Sequence, residues 1–549
     1  MNINVSGFPY TKMRDQQKHI LRTIDNNWDK KYIVIEAPPG VGKSGIAMTL
    51  LSSVKNGFLI TSTKQLQDQY IRDFSSDYRY DIESIKGRQN YTCKENENLT
   101  CDMGECLGNK ALLSECIDNG VCPYYNQKSK TIRSNIALTS YQYFFRFADC
   151  EPKIRSWQIR DMLLFDEAHL LEQQLVGWAS IELIPSKLNE ELNVFKTIDM
   201  DKLVEIFNLP SENGYEKNKK WIMSIADCIK DARESILLEL KESLKTDKDI
   251  DDDQIEQLLS DHTDYVKIDQ LFKKFSLFFK NKKEDWLVEV IEGGLSLTPL
   301  KVDGIFNTFI KKWGNKKIVF MSATILNAKA FCKEFGIDEN DVVVVRAQST
   351  FDAKKSPIIY NPVCKMNYDK IDENLPNIAK EVEKIMNNHK GQKGIIHTTN
   401  YKITKYLYDN INTDRFIIKT NDITNEDMIN MHEQSTKDTI LLSPSLTTGA
   451  DLKDDLGRFS IVIKLPWSSL TNSRVQVKMK EDEDWYPLEM FKTFIQSCGR
   501  TTRSESDWST TYILDAGFSY WVLKYRKWFT PQFLKRIKWN WWGKIWLIL

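Results

Sequence analysis

The chain carries no excess of either charge, few histidines and no long apolar run. Its 549 residues include 76 lysines and arginines against 76 aspartates and glutamates, with six histidines. A net charge of zero argues against a uniformly basic coat for nucleic acid, although a local basic groove stays compatible with it. No stretch of about eighteen apolar residues occurs and the N-terminus has no signal-peptide pattern, so we expect a cytosolic protein without a membrane span.

Internal repeats, low-complexity linkers and CxxC pairs are also absent from the sequence. The composition, 41% hydrophobic and 28% charged residues, is typical of a globular protein rather than a disordered one. Because 549 residues are too many for one ordinary core, we expect roughly two to four domains.

The segment KYIVIEAPPGVGKS (31–44) has the spacing of a phosphate-binding P-loop. Its apolar run Tyr32–Ile35 predicts a buried strand, and the following SGIAMTLLSSV predicts a helix. Lys43 can reach the β- and γ-phosphates of a nucleotide, and the Ser44 hydroxyl can bind Mg²⁺. The loop lacks the usual first glycine and consists of Ala37, Pro38, Pro39, Gly40, Val41 and Gly42. A nucleoside triphosphate site is favoured here over an incidental Gly-Lys-Ser.

A second apolar run ends in two carboxylates within DMLLFDEAHL (161–170). We expect a buried strand over Met162–Phe165, followed by Asp166 and Glu167. A carboxylate at the end of such a strand can hold Mg²⁺ opposite the P-loop, and its neighbour can orient or deprotonate the attacking water. The alternative, a simple helix cap, is weak with a P-loop upstream. The two segments together predict hydrolysis of a nucleoside triphosphate.

Further segments follow in the order found in superfamily 2 helicases, which the chain resembles. The stretches similar to the family's Q-motif and motifs Ia, III, IV, V and VI are FPYTKMRDQQ (8–17), ITSTKQLQDQY (60–70), IVFMSATIL (318–326), KGIIHTTNY (393–401), LLSPSLTTGADL (441–452) and QSCGRTTR (496–503). As isolated segments these would be ordinary core and surface. Their shared order makes coincidence negligible.

The resemblance implies roles for residues in both halves of the chain. Gln17 would read the edge of adenine, with Phe8 or Tyr10 packed near the base. The motif Ia hydroxyls would grip the phosphates of a nucleic acid strand, and Ser322-Ala323-Thr324 of motif III would couple that path to the nucleotide.

In the second half, Gly449 and Asp451 occupy the diagnostic places of motif V and are expected at the nucleotide. Gln496, Arg500 and Arg503 of motif VI would face the γ-phosphate from the second domain. An arginine that arrives across a cleft neutralises charge only when the cleft closes, which would tie hydrolysis to domain motion.

Five of the ten cysteines lie close together between the motif Ia segment and the strand that precedes Asp166 and Glu167. They are Cys93, Cys101, Cys106, Cys116 and Cys122, separated by gaps of seven, four, nine and five residues. Thiolates suit either zinc or an iron–sulfur cluster, so ligand type alone does not choose the metal. The wide gaps fit a cluster better than the paired CxxC spacing of a zinc ribbon.

The sequence around these cysteines resembles the Rad3/XPD/DinG branch of iron–sulfur helicases. It reads KGRQNYTC…CPYYNQK, followed by IALTSYQYFF (136–145). The resemblance implies a 4Fe–4S cluster in this segment, with Cys93 and Cys122 as the first and last ligands and Cys116 as the third. Cys106 is favoured slightly over Cys101 for the remaining place. The cluster is expected to brace a wedge near the fork rather than to take part in redox chemistry.

The expected fold is α/β, with two RecA-like domains built on parallel sheets. The first domain would be interrupted by the iron–sulfur insertion and by a mainly helical, arch-like insertion. The expected segments are 1–90, 129–179 and 291–347 for the first motor domain, 91–128 for the cluster, 180–290 for the arch and 348–549 for the second motor domain.

The sequence is therefore interpreted as an ATP-dependent DNA helicase that uses ATP, Mg²⁺ and a 4Fe–4S cluster. The resemblance implies 5′→3′ movement on single-stranded DNA and unwinding of forked DNA in replication or repair. We expect a monomer in the cytoplasm of a bacterial or phage-infected cell, with no membrane partner and with protein partners left open. Two alternatives remain: a helicase acting on RNA or RNA–DNA hybrids, and a non-catalytic DNA-binding scaffold.

Overall fold

The computed structural model describes residues 2–539 with internal gaps. The residues outside it are 1, 78, 109, 149–156, 158, 197–199, 246–262, 314–315, 350–351, 367–369, 421–422, 445, 447–451, 453, 500–506 and 540–549. In the ranges that remain, no helix is both long enough and apolar enough to cross a membrane.

The described chain forms strands that belong to three sheets. In chain order they are Tyr32–Glu36 (β1), Gly57–Thr61 (β2), Ile82–Ser84 (β3), Ile136–Ser140 (β4), Met162–Asp166 (β5), Ile181–Leu183 (β6), Trp286–Ile291 (β7), Gly294–Pro299 (β8), Lys317–Ser322 (β9), Val342–Arg346 (β10), Ile358–Cys364 (β11), Gly394–His397 (β12), Phe416–Ile418 (β13), Ile440–Ser443 (β14), Phe459–Val462 (β15), Thr510–Asp515 (β16) and Ile537–Trp539 (β17).

Helices connect these strands and cover the sheets. They are Asp15–Asp25 (α1), Lys43–Leu51 (α2), Lys64–Phe74 (α3), Lys110–Asp118 (α4), Pro123–Arg133 (α5), Tyr141–Ala148 (α6), Leu171–Ala179 (α7), Pro185–Leu192 (α8), Met200–Phe207 (α9), Tyr215–Lys245 (α10), Thr263–Lys280 (α11), Asp303–Trp313 (α12), Ala328–Glu334 (α13), Ile371–Asn388 (α14), Tyr401–Asn410 (α15), Asn425–Gln434 (α16), Ser473–Glu481 (α17), Trp485–Cys498 (α18), Phe518–Lys524 (α19) and Pro531–Arg536 (α20).

The first large sheet has seven parallel strands in the order β10-β1-β9-β5-β2-β4-β3. Its central strands are buried along their whole length, as in β1, β2 and β5. Parallel strands covered by helices on both faces read as continuous apolar runs, which is why Tyr32–Ile35 and Met162–Phe165 could be predicted as strands. Both of those predictions are confirmed.

The second large sheet also has seven parallel strands, in the order β13-β14-β12-β15-β16-β11-β17. Its core includes the apolar faces of α14 and α18, with Ile378 and Phe494 fully buried. Two helix-covered parallel sheets confirm the expected α/β fold with two parallel-sheet domains.

A third sheet has three antiparallel strands in the order β6-β8-β7. In the chain, these strands come between β5 and β9 of the first large sheet. The segment 286–299 forms the hairpin β7–β8 of this sheet. The hairpin forms because buried residues alternate along β8, so that the strand presents one apolar face. The chain re-enters the first large sheet only at β9.

Helices α8 to α11 fall within the range expected for the helical insertion. Arg233 on α10 pairs with Asp269 on α11 at 2.6 Å, and Lys273 pairs with the same carboxylate, also at 2.6 Å. The Arg233 pair joins the two long helices, and the Lys273 pair lies within α11. The domain boundaries drawn from the sequence stay predictions.

A cluster of buried charges joins the first domain to the second. Arg474 on α17 lies 2.6 Å from Glu172 on α7 and donates to the carbonyl of Pro299 at 2.7 Å. Lys478, one turn further along α17, lies 2.9 Å from Glu334 and 3.5 Å from Glu172. The cluster fastens α17 of the second domain to two helices of the first.

The two carboxylic acids of this cluster have shifted pKa values in opposite directions. Burial would raise the pKa of Glu172, but Lys478 and Arg474 outweigh it and lower that pKa to about 2. Burial and then the charge of Glu172 raise the pKa of Glu334 to about 7, against the opposing effect of Lys478. Glu172 is therefore the acid that holds the negative charge of the pair.

Candidate active site between the two domains

The predicted P-loop connects the end of β1 to the start of α2. Gly40 and Gly42 both have left-handed backbones, with φ of 82° and 85°. Gly42 is the residue that precedes α2, and a Cβ atom at this position would lie 2.4 Å from the Nε2 atom of Gln17. The loop therefore needs glycine at position 42 for its backbone angle and for space. Lys43 begins the helix, with its side chain turned toward the end of β5.

Gln17 lies against this loop, as the Q-motif resemblance implies. Its side chain is buried, its Nε2 donates to the carbonyl of Gly42 at 3.3 Å, and its Oε1 accepts from the backbone of Arg14 at 2.8 Å. The rings of Phe8 and Tyr10 lie beside the first turn of α2 and meet edge to face at 5.7 Å. Phe8 is buried, whereas Tyr10 is half exposed and accessible to a base.

The two predicted carboxylates sit at the end of β5. Asp166 is buried and accepts a hydrogen bond at each carboxylate oxygen, from the Tyr70 hydroxyl at 2.9 Å and from the backbone N–H of Glu167 at 2.9 Å. The hydroxyl of Tyr141 donates to the Asp166 carbonyl at 3.0 Å. Burial, followed by the charge of Glu167, raises the pKa of Asp166 to about 6, while Lys43 acts in the opposite direction.

Glu167 adopts a left-handed backbone, with φ of 53°, and its carboxylate lies 4.0 Å from the Lys43 ammonium. The Nδ1 atom of His169 is 3.3 Å from the same carboxylate and 2.9 Å from the hydroxyl of Ser322 at the end of β9. A left-handed non-glycine residue beside a strand end is a common mark of a functional turn. The P-loop, β5 and β9 therefore converge on one point.

The second domain reaches this point through α18. Gln496 donates from Nε2 to the hydroxyl of Thr324 at 2.9 Å, and the backbone N–H of Thr324 donates to the Ser322 hydroxyl at 3.1 Å. The predicted motif III and motif VI residues therefore meet. Arg500, Arg503, Gly449 and Asp451 lie outside the described residues.

A cavity of about 820 Å³ opens between the two domains at this contact. Its lining includes Lys43, Glu167 and Thr324 from the first domain and Gln496, Gly499 and Phe529 from the second. Its volume falls within the range of small-molecule sites. Side chains that can bind phosphate and activate water thus face one cleft.

Some residues of the cleft were missed by sequence reasoning. Glu36, at the end of β1, accepts from the backbone N–H of Leu326 at 2.8 Å and pairs with Arg346. The contact with Leu326 ties β1 to the end of the motif III segment. Tyr70 and Tyr141 lie in segments that carry the resemblance, but the motifs assigned no role to their hydroxyls. Tyr70 follows Leu66 and precedes Phe74 at four-residue spacing, which predicts a core-facing helix position but not the partner of its hydroxyl.

The five clustered cysteines lie between β3 and β4. They line one small cavity of about 20 Å³, together with Arg88 and Tyr124. Burial and then the neighbouring Cys106 raise the pKa of the Cys116 thiol. Within the described parts of the chain, no group of three or more His, Cys, Asp and Glu side chains is arranged to hold a metal ion. The predicted cluster ligands therefore stay a prediction.

Comparison with known proteins agrees with this geometry. A family model described as type III restriction enzyme, res subunit, matches residues 10–197, and one described as helicase C-terminal domain matches residues 382–533. A probable ATP-dependent helicase of Methanocaldococcus jannaschii is 21% identical over 616 aligned positions, which cover 94% of this chain and 93% of the relative.

Solved structures of XPD helicases have the same fold. One XPD helicase structure aligns over 97% of this chain and 100% of its own, with a TM-score of 0.61 and 15% identity. Xpd4 of S. tokodaii aligns over 96% of this chain and 99% of its own, with a TM-score of 0.56 and 14% identity. The chain is thus similar to a probable ATP-dependent helicase and shares the fold of the XPD helicase structures. The family resemblance predicted from the motifs is confirmed.

The P-loop offers a direct test of the backbone geometry. Gly42→Ala should lower the free energy of unfolding by about 1–2 kcal/mol, because alanine is strained at a left-handed φ. It should also weaken ATP binding, because Gln17 must move away from the loop. Chemical denaturation and nucleotide titration measure the two effects.

Gly177→Ala is the matched control for this substitution. Gly177 lies inside α7 with no other atom within 4 Å of the added Cβ position. Alanine there should raise the free energy of unfolding by about 0.5–1 kcal/mol through helix propensity and leave ATP binding unchanged. Equal stability and equal ATP affinity for both variants would contradict the assigned role of Gly42.

Proposed function

We propose that this chain hydrolyses ATP to travel along single-stranded DNA and to separate the strands of a duplex. The observation that carries the proposal is the meeting of two domains at one phosphate site. Lys43 and Glu167 come from the first domain and Gln496 from the second, and all three line the same cleft. The buried Asp166 directly precedes Glu167. A site divided between two domains links nucleotide chemistry to their relative motion.

In the proposed reaction, the P-loop amides and Lys43 bind the β- and γ-phosphates. Ser44 and Asp166 are the residues that would hold Mg²⁺, whose chemistry when bound is to neutralise phosphate charge. A serine hydroxyl and an aspartate carboxylate offer the oxygen ligands that Mg²⁺ prefers. This donor chemistry supports the fit of these residues to a magnesium ion.

Glu167 is proposed to orient and deprotonate the attacking water. Its carboxylate lies 4.0 Å from Lys43 and 3.3 Å from His169, and the loop beyond β5 directs it into the cleft. Arg500 and Arg503 follow the end of α18 in the sequence and are proposed to contact the γ-phosphate when the cleft closes. Gly449 and Asp451 are proposed to contribute to the same nucleotide site from the second domain.

Closure and opening would pull on the contact between Thr324 and Gln496. Thr324 follows β9, whose Ser322 hydroxyl contacts His169, so the contact joins the hydrolytic residues to α18. A change of nucleotide that lengthens or breaks this hydrogen bond would shift one domain along a bound strand relative to the other. The proposed direction, 5′→3′, comes from the family resemblance.

The cysteine segment is proposed to hold a 4Fe–4S cluster. The shared cavity of the five thiols supports this assignment, as does the family. From the family resemblance, Cys93, Cys106, Cys116 and Cys122 are proposed as the ligands, with Cys101 as the alternative to Cys106.

The proposed substrate is forked DNA met in replication or repair, in the cytoplasm of a bacterial or phage-infected cell. The chain is proposed to act as a monomer. An RNA or RNA–DNA hybrid substrate is the main alternative, because phosphate contacts and domain motion serve either polymer. A non-catalytic scaffold is disfavoured because Lys43, Glu167 and Gln496 face one cavity.

Strand displacement on tailed duplexes tests the proposed function. The chain should unwind a 5′-tailed DNA duplex in the presence of ATP and Mg²⁺ and leave a 3′-tailed duplex and a matched RNA duplex largely intact. Lys43→Ala should lower ATP hydrolysis by roughly 10²–10³-fold and abolish unwinding, because the phosphate charge loses its partner. Binding of single-stranded DNA should change little.

Lys405→Ala, an exposed lysine on α15, serves as the matched control and should unwind normally. Faster unwinding of the RNA duplex would favour the alternative substrate. Normal unwinding by Lys43→Ala would refute the assigned site.

Absorption spectroscopy tests the proposed cluster. Anaerobically purified protein should be brown, with a broad absorption band at about 400 nm. The variants Cys93→Ser and Cys122→Ser should lose both this band and the unwinding activity. Both variants should keep part of their ATP hydrolysis, because the phosphate site is built from other segments.

Cys364→Ser, a half-buried cysteine in the second domain, should keep both the colour and the activity. A colourless protein that contains stoichiometric zinc would replace the cluster with a zinc site. Normal unwinding by both serine variants would exclude a role for the segment at the fork.

A further inference from the structure

A tyrosine of α3 occupies the interior of the nucleotide site. Tyr70 is 1% exposed, and its ring packs 5.9 Å from that of Phe74. Its hydroxyl donates to Oδ2 of Asp166 at 2.9 Å. A buried hydroxyl therefore contacts a carboxylate that is proposed to hold Mg²⁺.

These contacts fix the direction of the Asp166 carboxylate. Its second oxygen already accepts from the backbone N–H of Glu167 at 2.9 Å. With both oxygens bound, the carboxylate cannot rotate without breaking a hydrogen bond inside the protein, where such a loss is costly. Metal sites commonly depend on such outer contacts to orient their ligands.

The position of Tyr70 also connects the metal site to another part of the cleft. Helix α3 begins after Thr63, whose side chain accepts from the backbone of Leu66. Ser62 and Thr63 line the interdomain cavity. Tyr70 follows Thr63 by seven residues, two helical turns or about 10 Å along the same rigid element.

We propose that Tyr70 is a positioning residue for the magnesium site. This proposal rests on the proposed function of that site. Its hydroxyl holds the Asp166 carboxylate in one orientation and so preorganises it for a divalent cation. Because the ring belongs to α3, the same contact ties the orientation of this ligand to the helix that begins just after Ser62 and Thr63. The hydroxyl does not touch the reacting atoms.

The test removes only the hydroxyl. Tyr70→Phe should raise the Mg²⁺ concentration that half-saturates ATP hydrolysis by about fivefold, which is the effect of one net hydrogen bond. Binding of Mn²⁺ in the presence of ADP, measured by electron paramagnetic resonance, should weaken by a similar factor. The second measurement does not depend on hydrolysis.

Tyr360→Phe is the matched control in the second domain. Tyr360 is also buried, and its hydroxyl donates to the carbonyl of Ala516 at 3.0 Å. Both variants should lose comparable thermal stability, but only Tyr70→Phe should change the metal titrations. Metal titrations of Tyr70→Phe that overlay those of the native chain, with stability lowered as in the control, would reduce Tyr70 to a packing role.

If the Tyr70→Phe variant does not fold, the tyrosine must be probed with its hydroxyl in place. With 3-fluorotyrosine at position 70, the ¹⁹F resonance should shift when Mg²⁺ is added to the protein with ADP, and an unchanged resonance would overturn the proposal. Failure of the proposed function looks different. The native chain would then hydrolyse no ATP with any nucleic acid, although Mn²⁺ binding would still depend on Tyr70.

Discussion

A buried carboxylate at the end of β5 sets the requirements of the whole cleft. Asp166 is surrounded by protein, and burial raises its pKa to about 6, so its charge must be stabilised by donors and cations that the fold brings to it. Tyr70, the backbone of Glu167 and the nearby Lys43 supply that stabilisation from three different segments. The parallel sheet makes this possible because the carboxyl ends of β1, β5 and β9 reach the same edge.

The second domain completes this arrangement and does not merely cover it. One direct link is the hydrogen bond between Gln496 and Thr324, at the edge of the phosphate site. The buried cluster of Glu172 and Glu334 with Arg474 and Lys478 is another, and it starts on α7, the helix that follows the two carboxylates. The helices on both sides of the cleft are thus joined by polar contacts, which suits domains that must separate and return.

The sequence predicted those features that depend on neighbouring residues. The continuous apolar runs before Lys43 and Asp166 identified buried parallel strands, and the order of the motifs placed Gln496 at the nucleotide. Contacts between segments far apart in the chain, such as those of Tyr70 with Asp166, left no local signal, because helix packing rather than spacing creates them. The pairing of β8 with β6, which lies about a hundred residues earlier, left no local signal either.

The central claim is that both domains contribute to one hydrolytic site. A double-mutant cycle on Thr324 and Gln496, read out as kcat for ATP hydrolysis with single-stranded DNA present, tests it most directly. If the side chains act through their shared hydrogen bond, Thr324→Ala and Gln496→Ala should each lower kcat, and the double variant should be no slower than the slower single variant. Losses that multiply in the double variant, or single variants as fast as the native chain, would contradict a site shared across the cleft.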